Sequence, residues 1–212
     1  MNAPQWWVLL IGGNSATGKT VIARQLARHF QVSLLLADDV RLALQRVITP
    51  AQQPALHYFL GGNSVWQQPP EMLCEALINI GKIVSYALEI IIAHHLAVAE
   101  AGPLIVEGDS ILPQMVAQDH FDGLKAFSDY EHKLRSIFLF EPEEEVLLKN
   151  MKKRGRGFQD LPQIEQQTIA RTSWLYGQWL QQAAQARGLP VLPVRPQNTI
   201  IERILTVIAA TN

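Results

Sequence analysis

The feature that most constrains this chain is a glycine-rich segment at residues 13–20, which reads Gly-Asn-Ser-Ala-Thr-Gly-Lys-Thr. It fits the pattern G-x-x-x-x-G-K-[ST] completely. The apolar run before it (residues 6–11) predicts a buried strand, and the helical spacing of apolar residues after it (residues 19–30) predicts a helix. Two glycines let the backbone curl until its N–H groups point inward, and the start of the helix adds unpaired N–H groups. The segment therefore predicts a phosphate-binding loop.

The side chains of this loop predict the chemistry of its ligand. Lys19 is expected to reach the β- and γ-phosphates of a nucleotide, and the Thr20 hydroxyl is expected to ligate Mg²⁺. We therefore expect ATP and Mg²⁺ as cofactors. The residues expected to bind the nucleotide are Gly13, Asn14, Ser15, Ala16, Thr17, Gly18, Lys19 and Thr20.

Composition narrows the class of protein. Of the 212 residues, 48% are hydrophobic and 17% are charged, which predicts a compact soluble fold and argues against disorder. The formal net charge is −1, so no overall basic field exists to recruit nucleic acid. Cys74 is the only cysteine, which excludes an intramolecular disulfide and favours a reducing cytoplasm. The most apolar long stretch (residues 83–99) contains Glu89 and two histidines, and it suits a core helix better than a membrane span.

The remaining apolar runs alternate with helical patterns along the chain. Strands are predicted at residues 32–37, 103–106, 135–140 and 189–194, with helices between them. This alternation predicts an α/β fold whose mostly parallel sheet is covered by helices on both faces. Residues 49–70 are rich in proline, glycine and glutamine, which is typical of a functional loop or a mobile lid.

Acidic residues directly follow two of the predicted strands. In open parallel sheets ligands bind outside the carboxyl ends of the strands, so these carboxylates are expected near the phosphate loop. We expect Asp38 to position or deprotonate an acceptor hydroxyl, or to bind Mg²⁺ through water, and Asp39 to cap the next helix. Glu107 is expected to bind Mg²⁺ or substrate, the alternative being a structural carboxylate at a strand end. Asp109 is the weaker candidate and is expected only to cap the helix that follows it.

Basic residues late in the chain predict a second phosphate-binding element. Arg154 and Arg156 alternate with two glycines, and a flexible basic loop of this kind can close over ATP and stabilise the transferring phosphoryl group. Arg171 lies on the next predicted helix, where it either binds phosphate or forms a surface salt bridge.

Two further residues are candidates for contact with an acceptor substrate. Arg41 lies on the first turn after Asp38 and either holds an anionic substrate or is a plain surface arginine. His57 lies in the irregular segment at residues 49–70 and is a candidate for substrate contact.

Together these segments resemble the small-molecule and nucleotide kinases of the P-loop class. The resemblance rests on the Walker A loop, the strand that ends at Asp38, the Val-Glu-Gly segment at Glu107, the arginine lid and the late helix with Arg171. More narrowly, the chain is similar to the 2-phosphoglycerate kinase-related group. The Asp-x-x-Arg segment, the Pro-x-Leu-His segment at residues 54–57 and a Leu-Pro pair at residues 112–113 carry that similarity.

The chain also departs from that group at two places. Tyr58, Phe59 and Leu60 stand where small hydroxylated residues are expected. Leu36 and Ala37 stand where the group usually has Ser-Thr before the first aspartate. The acceptor therefore need not be 2-phosphoglycerate.

The resemblance implies a three-layer P-loop NTPase fold with a five-stranded parallel sheet in the order 2-3-1-4-5. It implies one kinase domain over residues 1–212, with the lid at about residues 154–163 and an acceptor-side loop at about residues 49–70. The expected reaction is transfer of the γ-phosphoryl group of MgATP to a small-molecule acceptor. The expected catalytic residues are Lys19, Asp38, Arg154 and Arg156, the substrate-binding residues Asp38, Arg41, His57, Glu107 and Arg171, and the metal ligands Thr20 and Glu107.

Several alternatives stay open at the level of the sequence. The acceptor could instead be a nucleoside or nucleotide, a sugar acid, an antibiotic or a sugar nucleotide. A nucleotide-dependent switch or binding protein with little phosphotransfer would use the same loop, and apolar residues on the long helices would also suit a homodimer.

Overall fold

The sheet of the protein is five-stranded, parallel throughout, and ordered as predicted. A computed structural model describes residues 4–124, 130–155 and 157–210. The strand order is β2-β3-β1-β4-β5, so the predicted order is confirmed. The strands are β1 (Val8–Gly13), β2 (Ser33–Leu36), β3 (Leu104–Gly108), β4 (Leu134–Phe140) and β5 (Val191–Pro193).

Helices lie on both faces of this sheet, close to the positions that the sequence predicts. They are α1 (Lys19–Phe30), α2 (Ala37–Val47), α3 (Pro70–Ala97), α4 (Pro113–Val116), α5 (Glu144–Arg154), α6 (Gln163–Gln185) and α7 (Ile200–Ala210). The predicted irregular segment at residues 49–70 contains two short 3₁₀ helices, Pro54–Leu60 and Asn63–Gln67. Leu56 in the first of these is fully buried, so the segment packs against the core.

Alternation along the strands divides the core into two halves. Successive side chains of a strand point to opposite faces of a sheet, and every residue of β1 is buried because both faces are covered. Val8 and Leu10 pack with residues of α3 and α6, whereas Leu9 and Ile11 pack with residues of α1 and α7. The three-layer architecture follows from this division.

Helix α3 is the apolar helix noted in the sequence. Among the described residues it is the one helix with the length and hydropathy that could suit a membrane span, and half of its most apolar window is buried inside the protein. Val84, Leu88 and Ile92 on this helix are fully buried in the larger half of the core. A buried core helix can meet the same criteria of length and hydropathy as a membrane span.

The start of α2 differs from the prediction in a way that affects the site. The helix begins at Ala37, directly after the extended residue Leu36, so strand and helix are joined without a loop. Asp38 and Asp39 therefore lie in the first turn, and no side chain caps the helix. The predicted cap at Asp39 is wrong, because a capping residue must precede the first helical residue. Both carboxylates instead lie near the positive end of the helix dipole, where a negative charge stabilises the helix.

A close contact between β3 and α2 fixes the position of this helix start. Ala37 is fully buried, and a Cβ added to Gly108 would lie 2.4 Å from the Cβ of Ala37. Real Cβ atoms do not approach this closely, so the contact requires glycine at position 108. It holds the first turn of α2, with its two aspartates, against the carboxyl end of β3.

The contact predicts a stability change. Gly108→Ala should lower the free energy of unfolding by about 1–3 kcal/mol, because the added methyl group forces β3 and α2 apart. Urea denaturation of the purified protein measures this change. Gly61→Ala is the matched control, since a Cβ there would have its nearest atoms at 3.4 and 3.5 Å. Equal stabilities of the two variants would contradict the proposed contact.

Candidate active site

The phosphate loop connects β1 to α1 and adopts the tight turn that its glycines predict. Gly13 has φ 145°, Gly18 has φ 88° and Ala16 has φ 65°, so three residues adopt positive φ within the loop. A Cβ added to Gly13 would lie 2.3 Å from the carbonyl oxygen of Leu139 on the neighbouring β4. Only glycine therefore allows the loop to leave the sheet at this point.

Lys19 folds back over the loop. Its Nζ donates a hydrogen bond to the carbonyl oxygen of Asn14 at 2.8 Å, and the hydroxyl of Thr17 donates to the same oxygen at 2.9 Å. The ammonium group has three hydrogens, so this bond leaves it able to donate to phosphate oxygens as well.

The side chains of Thr20 and Glu107 form a hydrogen-bonded pair beside the loop. The Thr20 hydroxyl donates to the Glu107 carboxylate at 2.8 Å, and Glu107 is only 5% exposed. The parts of the chain that the structure describes contain no group of three or more His, Cys, Asp or Glu side chains placed to hold a metal. Mg²⁺ typically takes one or two carboxylates and completes its shell with substrate phosphates and water, so a hydroxyl and a single buried carboxylate fit this ion.

These residues line one cavity of about 380 Å³ at the carboxyl edge of the sheet. Its wall carries four cationic side chains and three carboxylates. The lining residues are Ser15, Ala16, Thr17, Gly18, Lys19, Thr20, Val21, Arg24, Asp38, Glu107, Gly108, Asp109, Asn150, Lys153, Arg154 and Gln197. The structure thus brings together six residues of the predicted loop with Asp38, Glu107 and Arg154. Gly13 and Asn14 are buried and are not among the lining residues.

Asp38 and Arg41 are paired at the edge of this cavity. Nη2 of Arg41 donates to the Asp38 carboxylate at 3.0 Å, and the side chains are 27% and 53% exposed respectively. Nε of Arg41 is buried and has no hydrogen-bond partner. Arg41 is not a lining residue, but its guanidinium lowers the pKa of Asp109, which places its charge next to that carboxylate.

Two predicted substrate-binding residues lie elsewhere, and one predicted catalytic residue is not described. Nε2 of His57 is 2.8 Å from the carbonyl oxygen of Ile48, and His57 is not a lining residue. Arg171 donates to Glu144 at 2.8 Å, and its guanidinium lies 4.6 Å from the ring centre of Trp174. Of the two alternatives for Arg171, the structure has the partly exposed salt bridge. Arg156 lies outside the described residues, so the arginine lid stays a prediction.

The sequence patterns did not indicate several of the residues that line the cavity, or gave them too little weight. Arg24 follows Thr20 by one helical turn on α1, so helical periodicity could have indicated it. Asn150 and Lys153 are three residues apart on α5 and share a face in the same way. Gln197 lies after β5, and no motif in the sequence marks it.

Asp109 is the most important of the undervalued residues. It lines the cavity, and burial together with the nearby Asp38 carboxylate raises its pKa, although Lys19 and Arg41 act in the opposite direction. The backbone at Asp109 is held by Tyr176, whose hydroxyl donates to the Asp109 carbonyl oxygen at 2.5 Å. Burial raises the pKa of Tyr176 well above its ordinary value, so the phenol stays a hydrogen-bond donor.

Comparison with known proteins shows the fold. No protein-family model matches the chain, and no curated protein matches its sequence. Similar solved structures include the shikimate kinase from Acinetobacter baumannii in complex with shikimate. It is 11% identical, the match covers 98% of this chain and 95% of that chain, and the TM-score is 0.52. A sugar kinase from Janibacter is 19% identical, with 98% and 96% covered and a TM-score of 0.51. An uncharacterized protein from Eubacterium ventriosum is 12% identical, with 98% and 99% covered and a TM-score of 0.51.

The likeness extends over nearly the whole chain at low sequence identity. The chain therefore has the P-loop fold seen in these kinases, with the sheet order that the sequence predicts. At this level of identity the likeness describes the fold, and the substrate has to be argued from the residues of the site.

The raised pKa of Asp109 predicts a pH-dependent stability. The folded protein binds the proton of Asp109 more tightly than the unfolded chain, so the free energy of unfolding falls as pH rises from the ordinary pKa to the raised one. Asp109→Asn should remove this loss and be more stable than the wild type near neutral pH. The gain should be about 1.4 kcal/mol for each unit by which the pKa is raised, and it should vanish below the ordinary pKa.

Urea denaturation across pH, with chelator and without nucleotide, measures this difference. Asp119→Asn is the matched control at an exposed position. A gain at Asp109→Asn that is the same at acidic and neutral pH would contradict the assignment.

Proposed function

We propose that the protein is an ATP-dependent kinase that transfers the γ-phosphoryl group of MgATP to a small-molecule acceptor. The observation that carries the proposal is the cavity itself, which is lined by six residues of the phosphate loop, Thr20 among them, together with Asp38 and with Glu107, the partner of Thr20. Phosphoryl transfer needs little covalent chemistry from the protein. It depends on positioning the two reactants and on stabilising negative charge. Residues suited to each of these two tasks line this cavity.

The phosphate side of the cavity is built to stabilise negative charge. The loop amides and the Lys19 ammonium would bind the β- and γ-phosphates, and Mg²⁺ held at Thr20 and Glu107 would neutralise phosphate charge. Lys153 and Arg154, at the end of α5, line the same cavity. Arg154, with the predicted lid residue Arg156, would stabilise the charge that is shared among the equatorial oxygens during transfer.

The acceptor side is marked by Asp38 and Arg41. Asp38 is about half-exposed and lines the cavity, so its carboxylate can accept a hydrogen bond or the proton from an incoming hydroxyl. Arg41 holds Asp38 in place with Nη2, and its buried Nε still needs an acceptor. An acceptor that carries both a hydroxyl and an anionic group would satisfy the two side chains together.

A phosphorylated or hydroxylated metabolite such as 2-phosphoglycerate fits this description. The residues that depart from the 2-phosphoglycerate kinase-related group now have a physical role. Tyr58 donates a hydrogen bond to Gln68, and the ring of Phe59 stacks on Trp66 with ring centres 5.2 Å apart. These aromatic side chains stand in the acceptor-side segment where that group has small hydroxylated residues, so we include other anionic acceptors in the proposal. We place the reaction in the cytoplasm.

Removal of the loop lysine tests the proposal. Lys19→Ala should lower acceptor-stimulated ADP release by at least about 100-fold, because the charge that develops on the phosphates loses its buried cation. A coupled ADP assay measures the rate with MgATP and a panel of 2- and 3-phosphoglycerate, sugar acids, nucleosides, sugar nucleotides and aminoglycosides. Lys82→Ala, an exposed lysine on α3, is the matched control.

The results separate a kinase from a switch. Stimulation by one acceptor that is lost in Lys19→Ala and kept in Lys82→Ala supports the kinase and identifies its acceptor class. Tight MgATP binding without stimulation by any panel member favours a nucleotide-dependent switch. Equal turnover in wild type and Lys19→Ala would disprove the mechanism.

The acceptor role of Asp38 has its own test. Asp38→Asn keeps the shape of the side chain but removes its basicity, so kcat should fall by about 100- to 10,000-fold. The KM for ATP should change little, because Asp38 acts on the acceptor. Asp39→Asn, one residue further in the same helical turn and not a lining residue, is the matched control. Steady-state kinetics in both substrates measure these effects, and similar kcat values for the two variants would exclude the role.

A further inference from the structure

Three successive carbonyl groups of the phosphate loop are each held by a side chain. The carbonyl oxygen of Asn14 accepts from Lys19 and Thr17 within the loop. The next two are held from outside the loop. The hydroxyl of Ser173 on α6 donates to the Ser15 oxygen at 3.0 Å. Nδ2 of Asn150 on α5 donates to the Ala16 oxygen at 3.0 Å.

These bonds fix the directions of the loop amides. In a trans peptide unit the carbonyl oxygen and the N–H of the next residue point in opposite directions. The bond at the Ser15 oxygen therefore sets the direction of the Ala16 N–H, and the bond at the Ala16 oxygen sets that of the Thr17 N–H. Amides that bind phosphate must point into the loop, so their carbonyls must be held outside it.

The loop needs this support because part of its backbone is strained. Ala16 has φ 65°, in the left-handed region that residues with a Cβ adopt with difficulty. A conformation of this kind persists only where its surroundings hold it. Ser173 and Asn150 act on the two peptide units that lie on either side of the Cα of Ala16.

The face of α6 is shaped to fit the loop at this point. Asn14 is fully buried, and its Nδ2 lies 3.3 Å from the hydroxyl oxygen of Ser173, which accepts this bond while it donates to Ser15. Gly177 lies one turn further along α6, and a Cβ added there would lie 2.7 Å from Cγ of Asn14. The glycine thus lets Asn14 and Ser173 approach each other.

We propose that Ser173 and Asn150 are positioning residues that set the amide directions of the phosphate loop and, through them, the affinity for the phosphates of ATP. The inference rests on the nucleotide binding proposed above. It adds that α5 and α6, the two helices on either side of the predicted lid, each act directly on the phosphate loop. Each helix then positions the phosphate loop in addition to supporting the lid.

Substitution of Ser173 tests the inference. Ser173→Ala removes only the hydroxyl, and it should weaken MgATP binding by about 2- to 10-fold, the usual range for one net hydrogen bond. Isothermal titration calorimetry of the full chain measures the Kd of MgATP and of magnesium tripolyphosphate. The two ligands should lose affinity by the same factor, because tripolyphosphate carries the phosphate chain of ATP without its adenosine.

The matched control is another buried serine. Ser85 on α3 is 8% exposed, and its hydroxyl contacts the carbonyl oxygens of Gly81 at 2.7 Å and of Ser110 at 3.3 Å, neither of which belongs to the phosphate loop. Ser85→Ala removes a comparable structural bond, so it should lower the unfolding midpoint without changing the Kd of either ligand. Asn150→Ala, a substitution on α5, should weaken the binding of both ligands as Ser173→Ala does. It keeps the inference testable if Ser173→Ala fails to fold.

The outcomes are separable. Loss of affinity in Ser173→Ala and Asn150→Ala, with Ser85→Ala unchanged, supports the inference. Wild-type affinity in both loop-contacting variants overturns the inference and leaves the kinase proposal standing. Absence of MgATP binding by the wild-type protein would overturn both.

Discussion

The parallel pairing of β1 with β3 and β4 is the constraint on which the site depends. Gly12 of β1 lies opposite Phe138 of β4 and opposite Gly108, the last residue of β3, so β1 and β4 end one and two residues beyond the level at which β3 ends. Because all strands run in one direction, their carboxyl ends deliver the phosphate loop, Glu107 and Asp109 to one edge of the sheet. The same pairing explains why Gly13 has no room for a side chain, since the Leu139 carbonyl of β4 occupies that space.

Most of the fold could be predicted because it is encoded locally. The glycine loop, the buried runs and the helical spacing each specify an element within about ten residues. The strand order came from the resemblance rather than from those patterns. The start of α2 was predicted three residues late, because the apolar run before it was taken as a strand through Ala37 and because aspartates such as Asp38 and Asp39 have low helical propensity and commonly precede a helix. Their helical conformation depends on tertiary contact, above all the packing of Ala37 on Gly108.

The site was predictable only where a motif marks it. Lys19, Thr20 and Glu107 lie in recognisable segments, whereas Asn150 and Ser173 are ordinary polar residues on long helices. Their partners in the loop are 134 and 158 residues away in sequence, so no local pattern can reveal the contacts. Arg171 is the opposite case, because its position on α6 suggested phosphate binding while the structure pairs its guanidinium with Glu144 and Trp174.

The cavity contains two carboxylates, Asp38 and Asp109, that repel each other when no ligand is bound. Burial of the Asp109 carboxylate, and in second place its repulsion from Asp38, disfavours its charged form and raises its pKa. Lys19 and Arg41 offset part of this repulsion, yet Lys19 is also hydrogen-bonded to the Asn14 carbonyl. A phosphate group and its metal ion would bring both signs of charge into this cavity and pair with both sets of residues. The residues that reduce the stability of the protein alone would thus be the ones that give the proposed charged substrate its binding energy.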